Sequence, residues 1–337
     1  EKMTKKKYDV YAIGIAIVDF EIEIDDVFLE ENGVEKGLMT LVDEQRQATL
    51  LKAAASKIRK KQAGGSAANS IVALAQFGGK GFYSCKVASD EEGVFYQKDL
   101  VAQGVDTNLT GGDLEGGQTG KCLVMVSPDA ERTMNTFLGI SSSLSSKEVI
   151  PEVLKNSNFL FIEGYLVTSE TGFVAIKEAK EFAQLHGVKV SLTFSDPSMV
   201  KYFASQITEL IGDGVDLLFC NEEEAMLYTS TADCDAAILE LKKITKSFVL
   251  TKGSQGAQLW DGDILYEVAA NKVAAVDTTG AGDIYAGAFL YGINNGLSYP
   301  DSGKLASLVA AKIVSQYGPR LSKSEIMEVL ELLNNKK

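Results

Sequence analysis

Late in the chain, seven residues, Asp277-Thr278-Thr279-Gly280-Ala281-Gly282-Asp283, pass directly into an apolar helical run, IYAGAFLYGI. Small residues ahead of a helix leave its first backbone N–H groups unpaired and open. Glycine admits an anion close to those groups, and the helix dipole favours negative charge there. Asp283 falls in the first turn, so its carboxylate lies beside the same pocket. A group that holds an anion next to a group that takes a proton suits phosphoryl transfer to a hydroxyl. A second string, Gly64-Gly65-Ser66-Ala67-Ala68-Asn69, opens another helical pattern at 67–77. Its paired glycines permit close approach of backbone to a ligand, and Asn69 offers hydroxyls both a donor and an acceptor. Taken alone, this second string also reads as a helix cap with an incidental asparagine.

Other chemistries are excluded. The chain contains neither GxxxxGK[ST] nor GxGxxG, which removes the P-loop and the dinucleotide fingerprint. Its single histidine, His186, rules out a multi-histidine metal site or metalloprotease helix. That histidine precedes Gly187 at an expected helix end, where a positive charge interacts favourably with the helix dipole. Lys+Arg 33 against Asp+Glu 46 gives a net charge of −13, the wrong field for a general nucleic-acid binder. A local basic pocket for a small phosphate ligand stays compatible with that charge. Cys85, Cys122, Cys220 and Cys234 form no CxxC pair and lie in apolar surroundings, as buried free thiols of a cytoplasmic protein do. No apolar run approaches the ~18 residues of a membrane-spanning helix.

Positioning these residues requires elements, and the pattern supplies them. A buried strand is expected at 10–18 (VYAIGIAIV), with later strands at 122–126, 159–162, 188–194, 216–220, 248–251 and 257–260. Helical patterns lie between them at 44–58, 67–77, 93–103, 171–185 and 236–243, then at 283–294, 301–314 and 323–333. Apolar strands alternating with helices imply an α/β fold with a central, mostly parallel sheet flanked by helices. Two stretches break the alternation. Residues 20–41 contain Glu21-Ile22-Glu23-Ile24-Asp25, and 106–140 contain a hairpin from KCLVMV through Pro128-Asp129 to RTMNTF. Both are expected in a small β-sheet lid. The body then takes 8–19, 42–105 and 141–337, with 141–146 as the linker back. The basic run 57–61 (KIRKK) is read as a solvated helix end.

GGSAAN together with DTTGAGD resembles the two signatures of the ribokinase/phosphofructokinase-B (PfkB) carbohydrate kinase superfamily. Residues 87–93 (VASDEEG) look like that family's turn after its second strand region. Asn221-Glu222-Glu223-Glu224 matches its N-x-x-E motif, and Thr251-Lys252-Gly253-Ser254-Gln255-Gly256 its T-x-G-x-x-G loop. These features occur in family order and span nearly the whole chain. The resemblance implies a ribokinase-like fold and one ATP- and Mg²⁺-dependent phosphotransferase over residues 1–337. Asp283 would then be the base, with the N–H groups of Gly280, Ala281 and Gly282 as the anion hole. Asn221 and Glu224 would organise Mg²⁺ through water, and Thr251, Gly253 and Gly256 would line the ATP side. Asp19, Gly64, Gly65 and Asn69 would hold substrate hydroxyls. An ordinary Asp, with a pKa of about 3.9, is a weak base, which a loose phosphoryl-transfer transition state tolerates.

Within the superfamily the details resemble adenosine kinases. GGSAANSIVALAQFG follows their form of the first signature. Asp129-Ala130-Glu131-Arg132 resembles their lid segment, whose arginine reaches the phosphoryl group. One departure stands out: adenosine kinases carry an asparagine after the glycine of the first strand, whereas here Gly14 is followed by Ile15. Phe20 and Phe137 lie where they would stack a purine or pack the hairpin. The expectation is therefore adenosine to AMP under a lid that closes on the substrate, with no nucleic-acid or membrane partner. The alternatives are a sugar kinase for ribose, fructose or a sugar acid, and a silent nucleoside-binding protein. Monovalent-cation activation, and monomer against homodimer, stay open.

Overall fold

The computed structural model describes residues 5–335. Its strands are β1 (Tyr8–Ile13), β2 (Ile17–Glu23), β3 (Met39–Leu41), β4 (Ile58–Gly64), β5 (Gly81–Ser84), β6 (Asp106–Thr107) and β7 (Gly120–Val126). There follow β8 (Arg132–Phe137), β9 (Ser157–Glu163), β10 (Lys189–Thr193), β11 (Val215–Asn221), β12 (Thr245–Thr251), β13 (Ala257–Trp260) and β14 (Leu265–Val268). The helices are α1 (Asp26–Glu31), α2 (Glu44–Ala54), α3 (Ser66–Gln76), α4 (Glu91–Ala102), α5 (Pro151–Lys155) and α6 (Glu170–Leu185). The chain ends with α7 (Pro197–Ile211), α8 (Glu222–Thr229), α9 (Cys234–Leu241), α10 (Ala281–Asn294), α11 (Tyr299–Val314) and α12 (Lys323–Asn334).

A nine-stranded sheet runs β14-β13-β12-β11-β10-β9-β1-β5-β6. It is parallel from β6 to β12 and antiparallel only at β12-β13-β14. Strand β1 shows why both faces must be covered. Val10 and Ala12 enter one core with Ile71 of α3, Phe289 of α10 and Val309 of α11, while Tyr11 and Ile13 enter another with Ile176 of α6 and Ile238 of α9. That alternation puts successive apolar side chains on opposite faces, each against its own helix layer. His186 caps α6 as expected, its ring stacked on Phe182 with Nδ1 2.8 Å from the Phe182 carbonyl oxygen.

A second sheet has five strands in the order β3-β8-β7-β2-β4, and here two sequence expectations are corrected. The run 10–18 is not one strand but two, separated at Gly14–Ala16, with β1 in the large sheet and β2 in the second. A side chain at Gly14 would meet Glu163 Oε2 at 2.4 Å and Tyr83 OH at 2.8 Å, so the chain passes through a space that only glycine fits. Only Lys57 of the basic run 57–61 ends a helical turn; Ile58 to Lys61 begin β4, antiparallel to β2. Acidic β2 calls for this partner: Lys60 stands opposite Glu21, and Arg59 lies 2.5 Å from Glu23. Residues 42–64, assigned to the body by sequence, thus supply α2 and one strand of the second sheet. Part of 20–41 is helical, as α1, because Asp25 caps Phe28 N–H at 2.8 Å. The hairpin of β7 and β8 forms as expected.

Candidate active site

The DTTGAGD loop is braced from three sides through its first residue. The Asp277 carboxylate accepts from Thr279 N–H at 2.9 Å and Gly318 N–H at 3.1 Å, and pairs with Arg132 Nη2 at 2.7 Å. These partners hold its pKa below the ordinary carboxylate range although burial opposes them. Gly280 caps α10 with φ 77°, and a Cβ there would lie 2.6 Å from Pro319. Both demands, a left-handed φ and no side chain, select glycine. The region above Gly282 is open, with no heavy atom within 4 Å of an added Cβ beyond its chain neighbours and the backbone of its own helix. Among the described residues the N–H groups of Gly280 and Gly282 have no protein acceptor, as an anion site requires. The Ala281 N–H differs from expectation: it donates to Thr278 O at 3.2 Å and closes the turn.

GGSAAN meets this loop directly. Ser66 Oγ donates to Asp283 Oδ1 at 2.6 Å, Asn69 Nδ2 to Asp283 Oδ2 at 3.3 Å, and Ser70 Oγ to the Asp283 carbonyl at 2.7 Å. Burial pushes the Asp283 carboxyl above its usual value, and Ser66 and Asn69 pull it back. A fixed orientation and a raised basicity are what a proton acceptor needs. Gly65, with φ 109°, turns the chain from β4 into α3, and a Cβ there would strike Ile15 O at 2.3 Å. A Cβ on Gly64 would lie 2.4 Å from Asp19 Oδ2, so the Asp19 carboxylate rests on bare backbone. Among the described residues that carboxylate accepts no hydrogen bond. Burial pushes its pKa up to about 7, against the opposing fields of Arg320 and Arg132.

Asn221 and Glu224 form a reciprocal cap on α8. Asn221 Oδ1 accepts from Glu224 N–H at 2.8 Å, and Glu224 Oε2 accepts from Asn221 N–H at 2.9 Å. Burial raises Glu224 to about 7, and Asp196, Glu223 and Asp283 push in the same direction. Thr251 ends β12 beside Asn221, and the loop carrying Gly253 and Gly256 closes through Lys252 N–H to Gly256 O at 2.7 Å. No cluster of three or more His, Cys, Asp or Glu with metal-ligand geometry occurs among the described residues. Mg²⁺ keeps several waters and leans on substrate phosphates, so a sparse set with one buried, repelled carboxylate fits it. These groups share one edge of the large sheet: Glu163, Asn221 and Thr251 are the last residues of β9, β11 and β12. Ligands of open α/β sheets collect at such carboxyl ends.

Several residues of the site carried no signal in the sequence. Glu163 accepts from Ala67 N–H at 2.9 Å and Ile15 N–H at 3.4 Å, joining β9 to the β1–β2 break and to α3. Burial pushes it up to about 8. Arg320 donates from Nε to Asn69 Oδ1 at 3.0 Å and from Nη1 to Asp99 Oδ2 at 2.8 Å. Asp196 caps α7 through Ser198 N–H at 2.7 Å. Lone residues far apart in the chain leave no motif to read. The Gly-rich string around Ser66 reads as an approach to a ligand, and its contact with Asp283 is visible only in the structure.

Residues 42–326 match the model of the pfkB family carbohydrate kinases. The chain belongs to this family. Its fold is ribokinase-like, and it is an ATP-dependent phosphotransferase acting on a sugar or nucleoside hydroxyl. An adenosine kinase from Sinorhizobium meliloti is 36% identical with a TM-score of 0.87, the match covering 97% of this chain and 99% of that one. A probable sugar kinase from Rhizobium etli CFN 42 is 33% identical with a TM-score of 0.88, over 97% and 99%. Among curated relatives, a 5-dehydro-2-deoxygluconokinase from Halalkalibacterium halodurans is 24% identical over 99% of this chain and 96% of its own length. Family kinases use ATP with Mg²⁺. No helix among the described residues is long and apolar enough to cross a membrane.

Proposed function

We propose that this kinase phosphorylates the 5′-hydroxyl of a nucleoside, with adenosine as the acceptor and AMP as the product. Transfer to a hydroxyl is carried by the Asp283 carboxylate, fixed by Ser66 and Asn69 in the same turn as the Gly280 and Gly282 N–H groups, and adenosine is favoured by the 36% likeness to an adenosine kinase. The acceptor oxygen attacks the γ-phosphorus as the bond to the β–γ bridging oxygen breaks, and its proton passes to Asp283. ADP leaves. The loop N–H groups neutralise charge on the phosphoryl oxygens throughout. Arg132 adds a cation once it turns from Asp277 to the phosphoryl group. When bound, Mg²⁺ offsets phosphate charge; Glu224, with Asn221, would hold its water shell, and Thr251, Gly253 and Gly256 would line the nucleotide.

Asp19 supports an acceptor with vicinal hydroxyls, because its unpartnered carboxylate over Gly64 suits two hydroxyl donors. The Asn69 contribution is narrower than the sequence implied. Its oxygen and one amide hydrogen already serve Arg320 and Asp283, leaving one hydrogen for the substrate. The second sheet would act as a lid; Phe20 does not line a base pocket, because it is buried with Ile22 and Phe28 on the face of β2 opposite Asp19 and packs the sheet instead. A sugar-acid acceptor is the second reading, favoured by the fields of Arg320 and Arg132 at Asp19 and by the 24% likeness to a sugar-acid kinase.

ATP consumption with Mg²⁺ across adenosine, inosine, guanosine, cytidine, ribose, fructose and a six-carbon keto sugar acid tests this, with Asp283→Asn in parallel. Turnover confined to adenosine and lost in the variant supports the reading. Turnover only with the sugar acid replaces the acceptor and keeps the mechanism. Silence with all acceptors sinks it.

A further inference from the structure

The segment Gly318-Pro319-Arg320-Leu321, between α11 and α12, touches both halves of the site. Gly318 N–H donates to Asp277, and Pro319 packs under Gly280, so its first half braces the phosphate loop. Its second half grips the acceptor helix: Gln76 Nε2 donates to Leu321 O at 2.8 Å, and Arg320 Nε donates to Asn69 Oδ1. The Arg320 side chain is only 9% exposed, and Asp99 of α4 holds its Nη1. Its Nη2 is buried with no partner among the described residues. A buried guanidinium with an unmet donor is costly to keep for stability alone.

The donor and acceptor inventory fixes what Arg320 does to Asn69. A guanidinium only donates, so the atom facing Arg320 Nε must be the amide oxygen. The Asn69 nitrogen then points away from Arg320, toward Asp283 Oδ2. Without Arg320 the amide is free to rotate and present its oxygen to the Asp283 carboxylate, which repels it. We infer that Arg320 is a positioning residue for transfer: through the Asn69 amide it holds the Asp283 carboxylate in line, while its own loop holds the phosphate-binding turn. Arg320 and Asn69, 251 residues apart in the chain, are thereby kept in one register. The inference rests on Asp283 as the proton acceptor.

The test is steady-state kinetics of the full chain with Mg²⁺-ATP and the best acceptor of the panel. It compares wild type, Asp283→Asn, Asn69→Ala, Arg320→Met and the Asn69→Ala/Arg320→Met pair. Arg320→Met should lower kcat by about 10²-fold, the scale of a small misplacement at a reacting centre, with KM for ATP unchanged. The paired variant should be within about twofold of Asn69→Ala alone, because the same link has already been cut. Losses that multiply, or full activity in Arg320→Met, overturn the inference. Wild-type turnover in Asp283→Asn removes the base itself, whereas a dead Asp283→Asn with multiplying losses removes only the role of Arg320. If Arg320→Met does not fold by circular dichroism, Arg320→Lys takes its place. A point charge cannot hold Asn69 and Asp99 together, so the same non-additivity is expected.

Discussion

The proposed phosphate loop and the proposed acceptor side treat their carboxylates in opposite ways. Asp277 is closed off by two N–H groups and Arg132, and its pKa is held low. Asp19, on β2, sits on the backbone of Gly64 without a hydrogen bond among the described residues, and its pKa is raised to about 7. One end of the site has its carboxylate paired before any ligand arrives. The other carries a desolvated charge that only a ligand can satisfy. A reaction common to a family needs the first kind of end, and a choice of acceptor needs the second. Asp283 lies between: oriented by Ser66 and Asn69, yet still raised by burial.

The largest test of this contrast is Asp283→Asn. Removing a general base should lower kcat by about 10²–10⁴-fold while calorimetric ATP binding persists. Equal loss of ATP binding would mean that Asp283 belongs to the phosphate end. Next is Arg132→Gln, expected to lower kcat by about 10²–10³-fold, the scale of a lost charge-stabilising donor. If Arg132 serves only to brace Asp277, thermal stability falls instead and kcat does not. Asp19→Asn should act on the acceptor alone, raising its KM by about 10–100-fold, the worth of hydrogen bonds to a charged group, with KM for ATP unaffected. In the wild type, acceptor KM should likewise rise as pH falls through about 7, where Asp19 loses its charge.

The smallest effect concerns stability. A carboxyl whose folded pKa is raised destabilises the ligand-free protein as pH rises from the ordinary carboxylate range toward that raised value. Asp19→Asn should therefore melt about 2–4 °C higher than wild type at pH 8, and the gain should vanish toward pH 4. A gain independent of pH would assign the effect to packing. Improved stability with poorer binding is the expected trade-off at a site held strained for function.

Legibility followed the same division. The phosphate end is written in contiguous residues, so DTTGAGD and its helix could be read directly, as could the alternating strands and helices. The acceptor end is assembled from the β1–β2 break, β4 and a loop near the C-terminus, and much of it escaped. The run VYAIGIAIV reads as one strand because its apolar pattern does not record the change of sheet at Gly14. KIRKK reads as a helix end because its charges make sense only against Glu21 and Glu23 of the neighbouring strand. Arg320 and Glu163 each make two hydrogen bonds to residues far away in the chain, which no periodicity reveals. In Ala281 the motif promised more than the turn delivers, since local geometry takes up its N–H.

The short passage from β1 to β2 has a further consequence. Asp19 stands in the third position of a strand that belongs to the second sheet, whereas Asp283 is anchored on α10 beneath the first. Any swing of the second sheet about Gly14–Ala16 changes the separation of these carboxylates. An acceptor that touches both is thus gauged for length, as by the jaws of a calliper. On the proposed roles, water would not reach from one jaw to the other and would gain nothing from a closure that a full-length acceptor completes.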